Sequence, residues 1–188
     1  AEEEAIRRAV RHADISLLGP YHRLATAGHV EGLVALLSDP AVSDPVYDLP
    51  RPFTNEVIGT WVAEAQARQA RGEAILCVTL DEGGGVSGYS YFTVWPERSA
   101  AEIGGAQRAD RQSRGMGKAG AARSFGWMFE HLGVRLIGLT AAKDNVRSAR
   151  VIEAAGFTPM GERNSMRADG TARCSLYWEM TRDQWRAM

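Results

Sequence analysis

The run Gln112-Ser113-Arg114-Gly115-Met116-Gly117-Lys118-Ala119 leads straight into an apolar pattern at helical spacing: Ala121, Phe125, Met128 and Leu132. Two glycines flank one residue where a loop turns into a helix, with basic side chains on both sides. The first N–H groups of a helix lack intrahelical acceptors, point outward, and sit at the positive end of the helix dipole. Glycine removes the Cβ that would hold a phosphate away from the backbone. The run therefore predicts a loop-to-helix cradle for a diphosphate.

Three phosphate-binding signatures compete for this stretch. A nucleotide P-loop needs Gly-x-x-x-x-Gly-Lys-Ser/Thr, but Ala119 follows Gly117-Lys118 and Gln112 occupies the first glycine position. The hydroxyl that would hold magnesium is missing, which argues against a nucleotide hydrolase. A dinucleotide fingerprint is met in spacing by Gly115, Gly117 and Gly120. It should follow a first strand and be followed by an acidic residue about 20 positions on. Here the motif lies deep in the chain, and Leu136 to Ala142 carry no carboxylate.

The third signature is Gln/Arg-x-x-Gly-x-Gly/Ala, the coenzyme A pyrophosphate loop of the GNAT acyltransferase superfamily. Gln112 to Gly117 resembles it at every defining position. Downstream, Asn145-Val146-Arg147-Ser148 and Glu153-Ala154-Ala155-Gly156-Phe157 resemble the Asn-x-x-Ser…Glu-x-x-Gly-Phe helix of the same superfamily. The resemblance covers roughly residues 14 to 181 and is greatest to the branch of ribosomal-protein N-terminal acetyltransferases. It implies an α/β fold of the α+β type: a mixed, mostly antiparallel central sheet, strands four and five splayed apart, and flanking helices. It also implies acetyl-CoA as cosubstrate and no metal. Residues 1–188 are then one acyltransferase domain, with 1–13 as an N-terminal extension.

Composition limits the partners. Of 188 residues, 45% are hydrophobic and 24% charged, with a net charge of −1, so no strong field recruits nucleic acid or an anionic membrane. Cys77 and Cys174 both sit in strand-like apolar patterns, which suits a reducing compartment better than a disulfide framework. There is no apolar run of membrane-spanning length, and Ala1-Glu2-Glu3-Glu4 has the wrong charge for a signal peptide, so a cytoplasmic protein is expected. The four histidines show no metal-ligand spacing. Dimerisation is implied only by the resemblance.

Along the chain, residues 2–12 predict a solvent-facing helix and 15–25 a first strand. Val30 to Leu37 follow helical spacing, and the prolines between 40 and 52 predict an irregular loop. Thr54 caps a second helix with Val57, Ile58, Trp61 and Ala65 on its apolar face. Strands are expected at 74–80, 88–95, 101–107 and 135–142, with a final hairpin turning at Asp169-Gly170. Its last strand alternates, which assigns Ala172, Cys174, Leu176, Trp178 and Met180 to the buried side. Gly126 inside a helix points to close packing, and Gly104-Gly105 inside a strand to a bulge or a close ligand approach.

Acetyl transfer to an amine requires removal of an amine proton, stabilisation of an oxyanion and protonation of a thiolate. Glu102, in a segment resembling the Glu-Ile-Gly strand of the ribosomal-protein branch, is the candidate base; the alternative is a solvent-facing edge glutamate. Ser148 is the candidate proton donor, because Ile152 stands where many superfamily members carry a tyrosine; the alternative is a serine bonded within its own helical turn. Gln112, Ser113, Arg114, Gly115, Met116, Gly117, Lys118 and Ala119 are the candidate coenzyme-binding residues. Asn145 joins them, as a pantetheine contact, a helix cap, or both. Arg108, Arg111 and Arg114 either serve the coenzyme or form a solvated loop. The acceptor is a primary amine, on a small molecule or a protein N-terminus. Tyr47, Phe53, Trp61 and Trp95 are candidate walls of its pocket, with core packing the alternative for Trp61. The rival class is a non-catalytic acyl-CoA sensor or interaction module, which Ile152 keeps in view.

Overall fold

In the computed structural model the described residues are 1–112, 116–167 and 169–188, with backbone alone for 116 and 117. Seven strands form one sheet in the order β1-β2-β3-β4-β5-β7-β6. They are β1 (His22–Leu24), β2 (Ala74–Leu80), β3 (Val86–Trp95), β4 (Ala100–Gln107), β5 (Leu136–Ala142), β6 (Thr158–Met166) and β7 (Ala172–Thr181). Neighbours run antiparallel except β4 and β5, which are parallel. A parallel pair needs a crossover, and α5 (Met116–Trp127) supplies it, extended by a wider π-type turn over Met128–Leu132. The mixed, mostly antiparallel architecture is the one expected.

Alternation along the strands separates two faces. Phe92, Val94, Ala101, Ile137, Leu139, Trp178 and Met180 face one core, shared with Phe125, Met128, Phe129 and Leu132 from the crossover. Ile152 and Phe157 join that core from α6 (Val146–Ala154) and the residues after it. Leu76, Val78 and Tyr89 face a second core under α2 (Val30–Leu37) and α4 (Asn55–Ala70). Thr54 caps α4 by accepting from the Val57 N–H at 3.2 Å. The buried stripe of α4 is Ile58, Val62 and Ala65, with Val57 and Trp61 only half-buried. Gly156 ends α6 at φ +96, the left-handed conformation that glycine adopts without a Cβ clash.

Several expectations are corrected. Residues 15–18 form a 3₁₀ turn rather than a strand, because Asp14 accepts hydrogen bonds from the Ser16 N–H and hydroxyl and starts the turn locally. The helix α1 (Glu2–Arg11) is not solvent-facing, since Ile6 and Val10 are buried in the first core. The proline-rich loop contains a short helix, α3 (Pro40–Ser43), capped by Asp39 with Pro40 in its first position. Ala172 and Cys174 are exposed. The pairing of β5 with β7 ends at Ala142 and Ser175, so residues 172–174 project past the covered sheet. A last helix, α7 (Arg182–Ala187), seats Trp185 against Gly126, where an added Cβ would meet the ring at 3.2 Å. That contact is the close packing Gly126 implied.

Candidate active site

The sheet opens at one place. β4 pairs with β5 only from Ala100–Leu136 to Glu102–Gly138. Beyond that point β4 stays with β3 as far as Gln107, while β5 stays with β7 as far as Ala142. Ile103–Gln107 and Leu139–Ala142 therefore face each other across a V-shaped gap, each with one row of backbone groups lacking a strand partner. An extended arm bearing amides fits such a gap as an added strand. Gly104 and Gly105 lie on its β4 edge, and the β3 register through both is unbroken, so they form no bulge. A Cβ at Gly105 would lie 2.4 Å from the Tyr89 carbonyl oxygen, whereas Gly104 has nothing within 4 Å. Gly105 is thus required by the sheet, and Gly104 leaves space beside the gap.

Glu102 is the last β4 residue paired with β5, at the apex of the gap. It is half-buried on the sheet face opposite the first core, on the same side as Thr93 and Gly138. Burial pushes its carboxyl above the ordinary value; Arg163 opposes that shift and Asp48 adds to it. A solvent-facing edge glutamate would experience neither burial nor these neighbours.

The same face of β7 is polar although β7 is an interior strand. Tyr177 and Glu179 lie there with Ser175, and the Tyr177 hydroxyl donates to Glu179 Oε1 at 2.8 Å. Burial, then Glu179, pushes the Tyr177 hydroxyl up to about 12. A Cβ on Gly138, the residue beside Glu102, would come within 2.7 Å of the Tyr177 hydroxyl oxygen. Glycine there brings Tyr177 over the strand next to Glu102. Sequence reasoning missed Tyr177, Glu179 and Arg163. The available signal was the Ser175-x-Tyr177-x-Glu179 alternation opposite the apolar Leu176, Trp178 and Met180.

At the far end of the gap, α5 starts with Met116 and Gly117, and Lys118 and Ala119 are exposed in its first turn. Ser113, Arg114 and Gly115 lie outside the described residues, as does the side chain of Met116. Gln112 is committed to protein contacts: Nε2 donates to the Gln107 carbonyl at 2.8 Å, and Oε1 accepts from Arg147 at 3.1 Å. It ties the end of β4 to the start of α6. Arg108 is no free coenzyme contact either, because it pairs with Asp81 at 2.9 Å and Asp110 at 2.7 Å.

Asn145 caps α6, its Oδ1 accepting from the Ser148 N–H at 3.2 Å, which leaves the amide nitrogen for a ligand. The half-buried Ser148 hydroxyl makes no hydrogen bond among the described residues, so the locally bonded alternative does not hold for that group. Ile152 is a core residue. Of the proposed wall residues, Tyr47 clamps a loop, Phe53 lies under Arg51, and Trp61 stacks on Tyr91 at 5.7 Å. Among the described residues no group of three His, Cys, Asp or Glu side chains is arranged to hold a metal, and no helix is long and apolar enough to cross a membrane.

Comparison with known proteins agrees with this geometry. Solved structures with the same fold include a ribosomal-protein-S5-alanine acetyltransferase from Vibrio fischeri, with TM-score 0.73 and 18% identity over 87% of this chain and 93% of that one. RimJ from Mycobacterium smegmatis, in complex with CoA-disulfide, matches at TM-score 0.73 and 16% identity over 87% and 82%. A spermidine N-acetyltransferase SpeG chimera from Vibrio cholerae and hSSAT matches at TM-score 0.72 and 14% identity over 89% and 98%. No curated protein matches the sequence significantly. The model of the acetyltransferase (GNAT) domain matches residues 22–158. With most of its length matched by that model and its sheet splayed where the motifs require, the chain belongs to the GNAT acetyltransferases.

Proposed function

We propose that the protein transfers an acetyl group from acetyl-CoA directly to a primary amine, on a small molecule or a protein N-terminus, with no covalent enzyme intermediate. The observation that carries this reading is a half-buried carboxyl, Glu102, at the point where β4 and β5 part. Acetyl-CoA supplies the acyl group as a thioester. Backbone groups of Ile103–Gly105 that face the gap lack a strand partner and suit an extended pantetheine arm, and Asn145 contributes its side-chain amide nitrogen. The first-turn N–H groups of α5, with Lys118, suit the diphosphate. Glu102, with its carboxyl above the ordinary carboxylate range, accepts the amine proton directly or through a water. Ser148, its hydroxyl uncommitted, donates a proton to the departing sulfur. The cysteines Cys77 and Cys174, which form no disulfide, suit a reducing, cytoplasmic setting.

The test is release of free thiol from acetyl-CoA in the presence of a panel of amines. Release should depend on the amine and fall by about a hundredfold in Glu102→Gln, the range of a general base. A loss smaller than about tenfold removes the base assignment. Tight acetyl-CoA binding with no turnover on any amine would instead favour the sensor reading. Ser148→Ala should lower turnover and leave coenzyme affinity unchanged; equal turnover would make the serine structural.

A further inference from the structure

The face that carries Glu102, Tyr177 and Glu179 also carries three arginines from the β6–β7 hairpin. Two of them are occupied. Arg167 donates to the Tyr47 carbonyl at 2.9 Å, and Arg173 donates to Pro45 at 3.2 Å and to Ser175 at 3.1 Å. Both guanidinium groups lie against the Tyr47 ring, at 4.2 and 5.0 Å from its centroid. They fasten the loop after α3 to the hairpin.

Arg163 is different. Its guanidinium lies 3.6 Å from the centroid of the Tyr177 ring, opposite Ser175 in the β6–β7 register. It makes no ion pair or hydrogen bond among the described residues, so its donors are uncommitted. The planar ring holds the group in place without using those donors. Its charge reaches both Glu102 and Tyr177.

A fixed cation beside a proton-accepting carboxylate is a poor arrangement for an acceptor that arrives as a bare ammonium ion. It repels the incoming charge and holds down the basicity of Glu102. A polyamine, cationic along its whole length, would gain from the carboxylates but would still set one of its further charges against Arg163, with no anion of its own to offset it. An acceptor bearing an anion close to its amine reverses the balance. Its ammonium would lie among Glu102, Glu179 and Asp48, and its carboxylate would take the forked donors of Arg163, a geometry that guanidinium matches with two parallel hydrogen bonds.

We infer that the acceptor is an amine whose molecule also carries a carboxylate, read by Arg163 from its perch on Tyr177. The inference rests on the amine-acetylation reading above and narrows its acceptor to one chemical class. The same chemistry is offered by a free amino acid and by a peptide N-terminus followed by an acidic side chain.

Matched pairs test it. Each amino acid is compared with the amine lacking its carboxylate, and each Asp-containing peptide with its Asn counterpart; the first series reports on free amino acids and the second on peptides. In at least one series kcat/KM should favour the anionic member by about tenfold, the size of one charge-assisted contact. Arg163→Gln should bring that ratio toward one through KM, and Arg163→Lys should keep part of it. Affinity for CoA should be the same in all three proteins, which separates acceptor reading from a contact to the coenzyme phosphates. Turnover of neutral amines or polyamines as efficient as that of every anionic partner would overturn the inference while leaving amine acetylation intact. A ratio that survives Arg163→Gln would overturn it as well. If no amine is turned over, amine acetylation itself fails. Calorimetric titration of the same pairs into CoA-loaded protein then reads the preference directly, and equal affinities overturn it.

Discussion

Burial at the apex of the strand gap opposes ionisation of Glu102. Its native pKa lies above the unfolded value of about 4.3. Between those two values the native state binds more protons than the unfolded chain, so this residue's contribution to stability falls as pH rises. Glu102→Gln removes the ionisation, so the variant should melt above the wild type at pH 7, with the difference vanishing below about pH 4. Thermal denaturation at the two pH values checks this; an equal gap at both would discard the burial account. With Glu102 in its proposed role as base, the acid limb of kcat/KM should lie above the ordinary carboxylate range. The two edge glycines make a second contrast. Gly105→Ala forces a Cβ onto the Tyr89 carbonyl and should cost about 1–3 kcal/mol in urea unfolding, as overpacking does. Gly104→Val meets open space, should fold normally, and should weaken acetyl-CoA binding if the pantetheine arm runs along that edge.

Among the elements, the loop between α3 and α4 is fastened to the β6–β7 hairpin rather than being a passive connection. The Tyr47 hydroxyl donates to the Thr171 hydroxyl oxygen at 3.1 Å and the ring lies against two guanidinium groups, while Arg51 donates back to Leu49, Ser43 and Val46. Tyr47→Ala should release that loop from the hairpin. Hydrogen exchange over residues 44–49 should accelerate and the acceptor KM should rise, with coenzyme affinity unchanged. A variant with wild-type exchange would show the clamp to be dispensable. At the other side of the sheet, α7 positions Trp185 on Phe129 with ring centroids 5.5 Å apart. Trp185→Ala should cost about 2 kcal/mol in denaturant unfolding, somewhat less than loss of a fully buried aromatic.

At the scale of the whole molecule, the sheet separates a large core under the crossover helix from a smaller one under α2 and α4. The first thirteen residues belong to the larger core through Ile6 and Val10, which are 2% and 0% exposed. The ion pairs from Glu2 to Arg135 and from Arg7 to Glu73 are surface contacts and contribute little beside that burial. Ile6→Ala should therefore lower unfolding free energy by about 3 kcal/mol, as expected for a buried aliphatic. A shift below about 1 kcal/mol would return this segment to the status of an appendage.

What the chain determined by itself is local. The Asn145 cap, the Gly156 stop and the alternation of Trp178 with Met180 all depend on neighbours a few residues away. Those preferences survive folding, so the strands, the crossover and the helix after it were legible. The glycine run and the Asn145 helix also carried the family. Local reading failed where a nearby hydrogen bond outweighed the apolar pattern, as at Asp14 and Ser16, or where the neighbouring strand ended, as at Cys174. The proposed acceptor face was decided only by tertiary structure. Glu102, Gly138, Tyr177 and Arg163 come from four strands, and their meeting depends on strand order and register. No spacing along a single chain encodes those relations, because they arise when the sheet assembles and buries one face of each strand.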